Sequence, residues 1–301
     1  MDECLKITVF TDPMMGLSYE CEPVFRKLET HFGDDVLVKY SMGLLVRDVR
    51  DWIDQDEYSG DPKGAVERYN ARLADIYRSE EALGGLPINM DGFRLFSHER
   101  RSSYPLNLAF KAAELAASAA AGRFLYNMRF ATIAETRPTT MWNEAVRVVR
   151  MTGIDEGAFI AHCNDGSAES ALSEDLAKLR ALGFNRLPSY VLEYGAKRAH
   201  IQRLIGYDGL VYAIAQITGG LFRPHPVAGD ADALRQLLAA HPLISLVEIR
   251  DALDLHNLDD ADALAKTLVS TKEASFLDAR RGLFLLKTNT PEWRILHEKP
   301  V

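Results

Sequence analysis

The chain has 301 residues, enough for one large domain or two smaller ones, and 47% of them are apolar, an ordinary share for a protein with a sizeable core. A net charge of −8 excludes general nucleic-acid binding and attraction to anionic membranes. Cys4, Cys21 and Cys163 are too few and too scattered for a disulfide framework or a zinc-ligand set, so no metal is expected.

Residues 5–10 read as a buried strand, β-branched and aromatic, ended by Asp12-Pro13. Asp2 and Glu3 precede it without the basic and apolar stretches of a signal peptide. The Ala-rich run of residues 115–122 is too short to cross a bilayer, so a cytoplasmic protein is the expectation. Residues 18–32 read as a helix, with Ser18 as N-cap, Val24, Phe25, Leu28 and Phe32 at helical spacing, and Gly33 as the stop. Residues 36–42 form a second strand, which should run parallel to the first. Helices then dominate from about residue 62 to 184. Residues 189–193 and 198–204 read as paired strands and residues 207–217 as a closing helix. The Gly- and Pro-rich stretch of residues 219–226 reads as a linker. After it come three short helices, around residues 234–238, 246–253 and 258–269, and a hairpin of residues 273–277 and 283–287. Three helices and a hairpin resemble a winged helix. The pattern is α/β, divided into residues 1–222 and a small unit of residues 223–301.

The segment after the first strand carries the specific signal. Thr11-Asp12-Pro13-Met14-Met15-Gly16-Leu17-Ser18-Tyr19-Glu20-Cys21-Glu22-Pro23 resembles the active-site segment of DsbA-like thioredoxin-fold proteins, particularly the FrnE-type branch. Tyr40-Ser41-Met42-Gly43-Leu44-Leu45-Val46, Ser102-Ser103-Tyr104-Pro105, the loop of residues 183–191 and Gly206-Tyr207 match further parts of that pattern in order. The resemblance spans roughly residues 5–217 and implies a thioredoxin-like fold with a large helical insertion, residues 62–184. It also implies a cis peptide before Pro188. Adaptor-like relatives, of the YjbH type, also have extended C-termini.

Family members carry Cys-x-x-Cys at the helix start. Here the matching residues are Met15, Gly16, Leu17 and Ser18. A thioether has no proton to lose and forms no disulfide, and a serine hydroxyl cannot resolve one, so dithiol oxidoreductase activity is not expected. Cys21 is the lone thiol nearby, flanked by Glu20 and Glu22, which would raise its pKa. Glutathione-using relatives of this fold place a serine at the first-cysteine position. That position is Met15 here, with Ser18 three residues late. Met15, Ser18, Leu187 and Pro188 remain as candidate binding residues, Pro188 either as part of a peptide groove or as a scaffold turn. Arg100 and Arg101 read as a solvated loop, and His31, His98, His162 and His200 as surface residues without a ligand partner.

The leading expectation is a redox-degenerate DsbA-like protein that binds a protein or peptide partner, with an adaptor as one form of this. The alternative is a thiol-disulfide oxidoreductase or a glutathione-dependent isomerase or transferase of the same fold, with glutathione the one cofactor in view. A homo-oligomer is compatible with either. In the C-terminal unit, Asp259, Asp260 and Asp262 on the third helix oppose DNA binding, and Arg280-Arg281 is too small a basic run to offset them.

Overall fold

A computed structural model describes residues 4–279, 281–288 and 290; Arg280 therefore lies outside the described residues. The first strand, β1 (Leu5–Thr11), sits at the centre of a four-stranded sheet because its residues alternate. Leu5, Ile7 and Val9 are buried towards one face. A short helix α1 (Gly16–Tyr19) and a longer one, α2 (Glu22–Phe32), lead to β2 (Val36–Met42), which pairs with β1 in parallel. Then come α3 (Gln55–Gly60), α4 (Pro62–Gly84), α5 (Tyr104–Ala116), α6 (Ala121–Arg129), a π-helical turn (Phe130–Ala134), α7 (Trp142–Thr152), α8 (Glu156–Asn164) and α9 (Ser167–Ala181). The chain returns to the sheet as β3 (Ser189–Tyr194) and β4 (Lys197–Ile201), both antiparallel to their neighbours, and closes with α10 (Tyr207–Thr218). Sheet order is β2-β1-β3-β4.

The expected single helix over residues 18–32 is two helices. Pro23 lacks the N–H that would bond to the Tyr19 carbonyl, and its ring crowds that carbonyl, so the turn at Glu20–Cys21 separates α1 from α2. Ser18 therefore lies within α1 and caps nothing. Gly33 ends α2 at φ 51°, where a side chain would be strained.

After α10 the chain forms α11 (Ala231–Ala240), β5 (Leu243–Ser245), α12 (Leu246–Ala252), α13 (Leu258–Ser270), β6 (Ala274–Asp278) and β7 (Leu283–Lys287). The three strands are antiparallel in the order β5-β7-β6. β5 went unread because three apolar-leaning residues ran directly into a helix. Its last residue, Ser245, is the N-cap of α12, in a reciprocal capping box with Glu248.

Leu5, Phe25, Leu28, Tyr190, Leu192, Leu210 and Ile214 form the core between the sheet and α2 with α10. A larger core fills the helical insertion, and Leu243, Val247, Ala279 and Phe284 from the C-terminal elements belong to it. The C-terminal elements are thus packed into the rest of the chain, with α12 lying on α2. His31 is buried at this contact, not on the surface. Its Nδ1 is 2.8 Å from the Tyr207 hydroxyl and its Nε2 3.3 Å from the Asp254 carboxylate.

Candidate functional site

At the end of β1 the chain must turn sharply into α1, and Asp12 holds the turn. Its buried carboxylate accepts hydrogen bonds from the Met14 N–H (3.0 Å), the Leu45 N–H (2.8 Å), the Ser103 hydroxyl (2.7 Å) and the Asn107 side-chain amide (2.8 Å). One carboxylate so ties together the end of β1, the exit of β2 and the start of α5. Burial pushes its pKa up against these four donors, three of which share Oδ2.

The segment at the dithiol position packs against α4 at Gly16. Met15 is 5% exposed and Ser18 2% exposed. The Tyr77 hydroxyl donates to the Met14 carbonyl, and the Tyr19 hydroxyl to the Pro87 carbonyl at 3.1 Å. Gly16 permits this cover, since a Cβ there would stand 2.6 Å from the Tyr77 ring. The Ser18 Oγ accepts from the Thr11 hydroxyl at 2.7 Å, and Thr11 in turn accepts from the Arg129 guanidinium at 2.7 Å. Ser18 is thus tied into an internal chain of hydrogen bonds, which opposes a role in glutathione binding.

Two carboxyls flank this cover. The Glu20 Oε2 accepts from the Gly84 N–H at 2.9 Å and the Leu86 N–H at 3.3 Å, while its Oε1 has no partner. Burial pushes the Glu20 carboxyl up to about 8, and burial pushes Glu80, beside Gly16, up to about 7.

The Cys21 Sγ is buried, 4.0 Å from the Tyr190 hydroxyl. Burial pushes its thiol up to about 12, so it carries no thiolate at neutral pH. All three cysteines are free, and among the described residues no group of three or more His, Cys, Asp or Glu could hold a metal. The Leu187–Pro188 peptide is cis; Pro188 is buried, and the half-buried Leu187 side chain packs against Gly43. Arg100 Nε bonds the Thr140 hydroxyl at 3.2 Å and Arg101 the Tyr58 hydroxyl at 3.0 Å, so these two arginines brace their loop.

Behind the motif lies a buried ionic network that the sequence reading missed. Glu22 accepts from Arg129 at 2.6 Å and from Arg26 at 2.9 Å. Arg26 also reaches Glu29 at 2.5 Å and Glu248 of α12 at 3.3 Å. Glu248 accepts in addition from the Tyr126 hydroxyl at 2.7 Å and from the Ser245 N–H at 2.9 Å. The His241 Nε2 closes the network 2.7 Å from Glu29. Burial works against the Glu29 anion, but Arg26 and His241 hold its carboxyl down at about 2. Burial dominates at Glu248 and raises its pKa despite Arg26. Glu22 and Arg26 stand four apart and Arg26 and Glu29 three apart, which in sequence resembles a solvated helix face. Only the Ser245-x-x-Glu248 capping pattern was a readable sign.

The family model described as Thioredoxin matches residues 8–203. A curated relative, the ClpXP adapter protein SpxH of Halalkalibacterium halodurans, is 24% identical over 281 residues, covering 93% of this chain and 88% of its own. A Nitrosomonas europaea structure, assigned provisionally as a protein disulfide isomerase, aligns with a TM-score of 0.59 at 14% identity, covering 73% of this chain and all of that one. The cytosolic disulfide reductase DsbM of Pseudomonas aeruginosa aligns with a TM-score of 0.53 at 16% identity, covering 71% of this chain and 98% of its own. At such identities the two structures speak for the fold alone. The match over residues 8–203, on a sheet and helices arranged as above, means that the chain belongs to the thioredoxin family.

Proposed function

We propose that this chain is a redox-degenerate adaptor of the thioredoxin family, of the FrnE-type branch, that holds a protein partner for degradation by ClpXP. The observation that carries the reading is the cover over the motif. Where an oxidoreductase needs an exposed thiolate at a helix start, this chain holds a buried thioether and a buried, bonded hydroxyl. The relationship to SpxH supports the positive half, because it runs through the C-terminal elements as well as the thioredoxin-like part. Since Met15 and Ser18 are buried, the partner meets other surface, not the old groove between them and Pro188.

We further propose a boundary at about residue 223 and a C-terminal unit, 223–301, whose described residues form a winged-helix-like fold that makes protein contacts in the cytoplasm; residues 280, 289 and 291–301 lie outside the described residues. Asp259 and Asp260 in the first turn of α13 support that assignment, because carboxylates there repel phosphate. Among the described residues no helix is long and apolar enough to cross a membrane.

The test is reconstitution. Proteins whose half-lives lengthen when the gene is deleted are purified and mixed with ClpXP. Adding this chain is expected to accelerate the loss of at least one of them. If none is degraded faster, the adaptor reading falls.

A further inference from the structure

β4 is an outer strand: it pairs with β3 and, among the described residues, with nothing on its other side. Such an edge presents unpaired backbone N–H and C=O groups, which an added strand can satisfy. The edge is bordered by a groove of about 600 Å³ between β4 and α10. Ala199, Ile201, Ile205 and Ala213 make the groove apolar, and Tyr212, 68% exposed, stands over it. Lys197 and Arg203 are exposed at its rim, and its lining contains no acidic residue. Neither cation has a carboxylate within ion-pair distance among the described residues, whereas Arg198 is held by Glu193 at 2.7 Å. His200, exposed on the other face of the strand, borders a second groove of mixed charge, which Glu114, Asp175 and Glu193 line along with Lys111 and Lys178. In a chain of net charge −8, the rim of the groove between β4 and α10 is locally cationic.

These features restrict the occupant. A second copy of β4, paired antiparallel about Ala199, would set Arg198 against His200 and bring no carboxylate to Lys197 or Arg203. An apolar strand would leave Lys197 and Arg203 without counter-charges. We propose that β4 is the docking edge for an extended acidic segment of a protein partner, laid along it as a fifth strand. Side chains of an added strand alternate between faces. Alternate residues of the segment are therefore apolar and pack against Tyr212, Ile205 and Ala213. The intervening ones are acidic and lie beside Arg198 and His200 on the other face, and carboxylates at the segment's ends meet Lys197 and Arg203. This rests on the adaptor reading and specifies the chemistry of its partner. The rival account, in which Lys197 and Arg198 merely guard an exposed edge from aggregation, requires that nothing docks there.

Fluorescence anisotropy with a labelled peptide of about ten alternating glutamate and valine residues, added to the full chain, decides between them. We expect saturable binding that weakens as salt rises. It should weaken about tenfold or more in the doubly substituted K197E/R203E chain, whose changes lie on exposed side chains. A peptide of the same charge with proline at the valine positions cannot complete a strand and should bind at least as poorly. Failure to saturate, equal binding of the proline peptide, or insensitivity to K197E/R203E would each overturn the proposal. So would tighter binding of a single-stranded RNA of similar charge, which would mark the patch as a nucleic-acid site. If the peptide fails while ClpXP turnover is still accelerated, the edge assignment falls and the adaptor reading stands.

Discussion

Replacing Arg26 with methionine keeps most of the side-chain volume and removes the cation that Glu22, Glu29 and Glu248 share. The three carboxylates lose unequally. Glu22 keeps Arg129 at 2.6 Å and Glu29 keeps His241 at 2.7 Å, but Glu248, fully buried, keeps only the neutral donors Tyr126 and Ser245. Breaking a buried ion pair from one side typically costs about 3–5 kcal/mol, because a charge is left uncompensated. The retained partners place Arg26→Met near the lower end, at about 3 kcal/mol, or a fall in Tm of roughly 6–10 °C for a chain of this size. The cost should depend on pH in a definite direction. Burial already raises the Glu248 carboxyl, and losing Arg26 raises it further. A group raised in the folded state binds its proton more tightly there, so its penalty is small at low pH and grows as pH rises through the folded pKa. Arg26→Met should therefore cost less at pH about 5 than at pH about 8. Adding Glu248→Gln to the variant removes the stranded charge and should restore about 1–2 kcal/mol at neutral pH. Urea unfolding followed by circular dichroism measures all three chains. A cost below about 1 kcal/mol for Arg26→Met, or a second loss where Glu248→Gln should rescue, would refute the account of this network.

Three other outcomes follow from the covered motif. Glu20→Gln removes a carboxyl that burial raises to about 8, so the stability that wild type loses as pH climbs towards that value should be retained. Urea midpoints should differ little at pH about 5 and favour the variant by about 1 kcal/mol or more at pH about 8.5; equal midpoints at both would sink the argument. Gly16→Ala sets a methyl 2.6 Å from the Tyr77 ring and should cost about 1–3 kcal/mol, with faster proteolysis within α4; an unchanged Tm would show that α4 does not lie tightly there. The chain should not reduce insulin disulfides in a turbidity assay. Even the M15C/S18C double variant should stay far slower than a Cys-x-x-Cys relative, because both positions are covered; turnover comparable to such a relative would show that the cover opens freely.

That positions 15 and 18 carry no thiol was legible in the sequence, because it depends only on which atoms are present there. So was the strand–helix–strand start, whose alternating Leu5, Ile7 and Val9 fit one face of a pleated strand whatever surrounds it. Pro23 also carried its own message, since a missing N–H and a ring clash act within one helical turn; the sequence reading simply passed over it. Other features were not local. Met15 and Ser18 are buried, Ser18 against a Thr11 hydroxyl that Arg129 holds from far along the chain, and nothing in their own segment shows this. Arg26 and Glu248 stand 222 positions apart, so their pairing exists only once α12 is laid on α2. The same holds for His31, whose helix spacing could not tell solvent from the buried contact with Tyr207 and Asp254. Covalent identity and short-range sterics act along the chain and can be read there. Burial sets the protonation of Glu20 and the silence of Cys21, and burial is made by residues distant in sequence, so only the tertiary structure decides it.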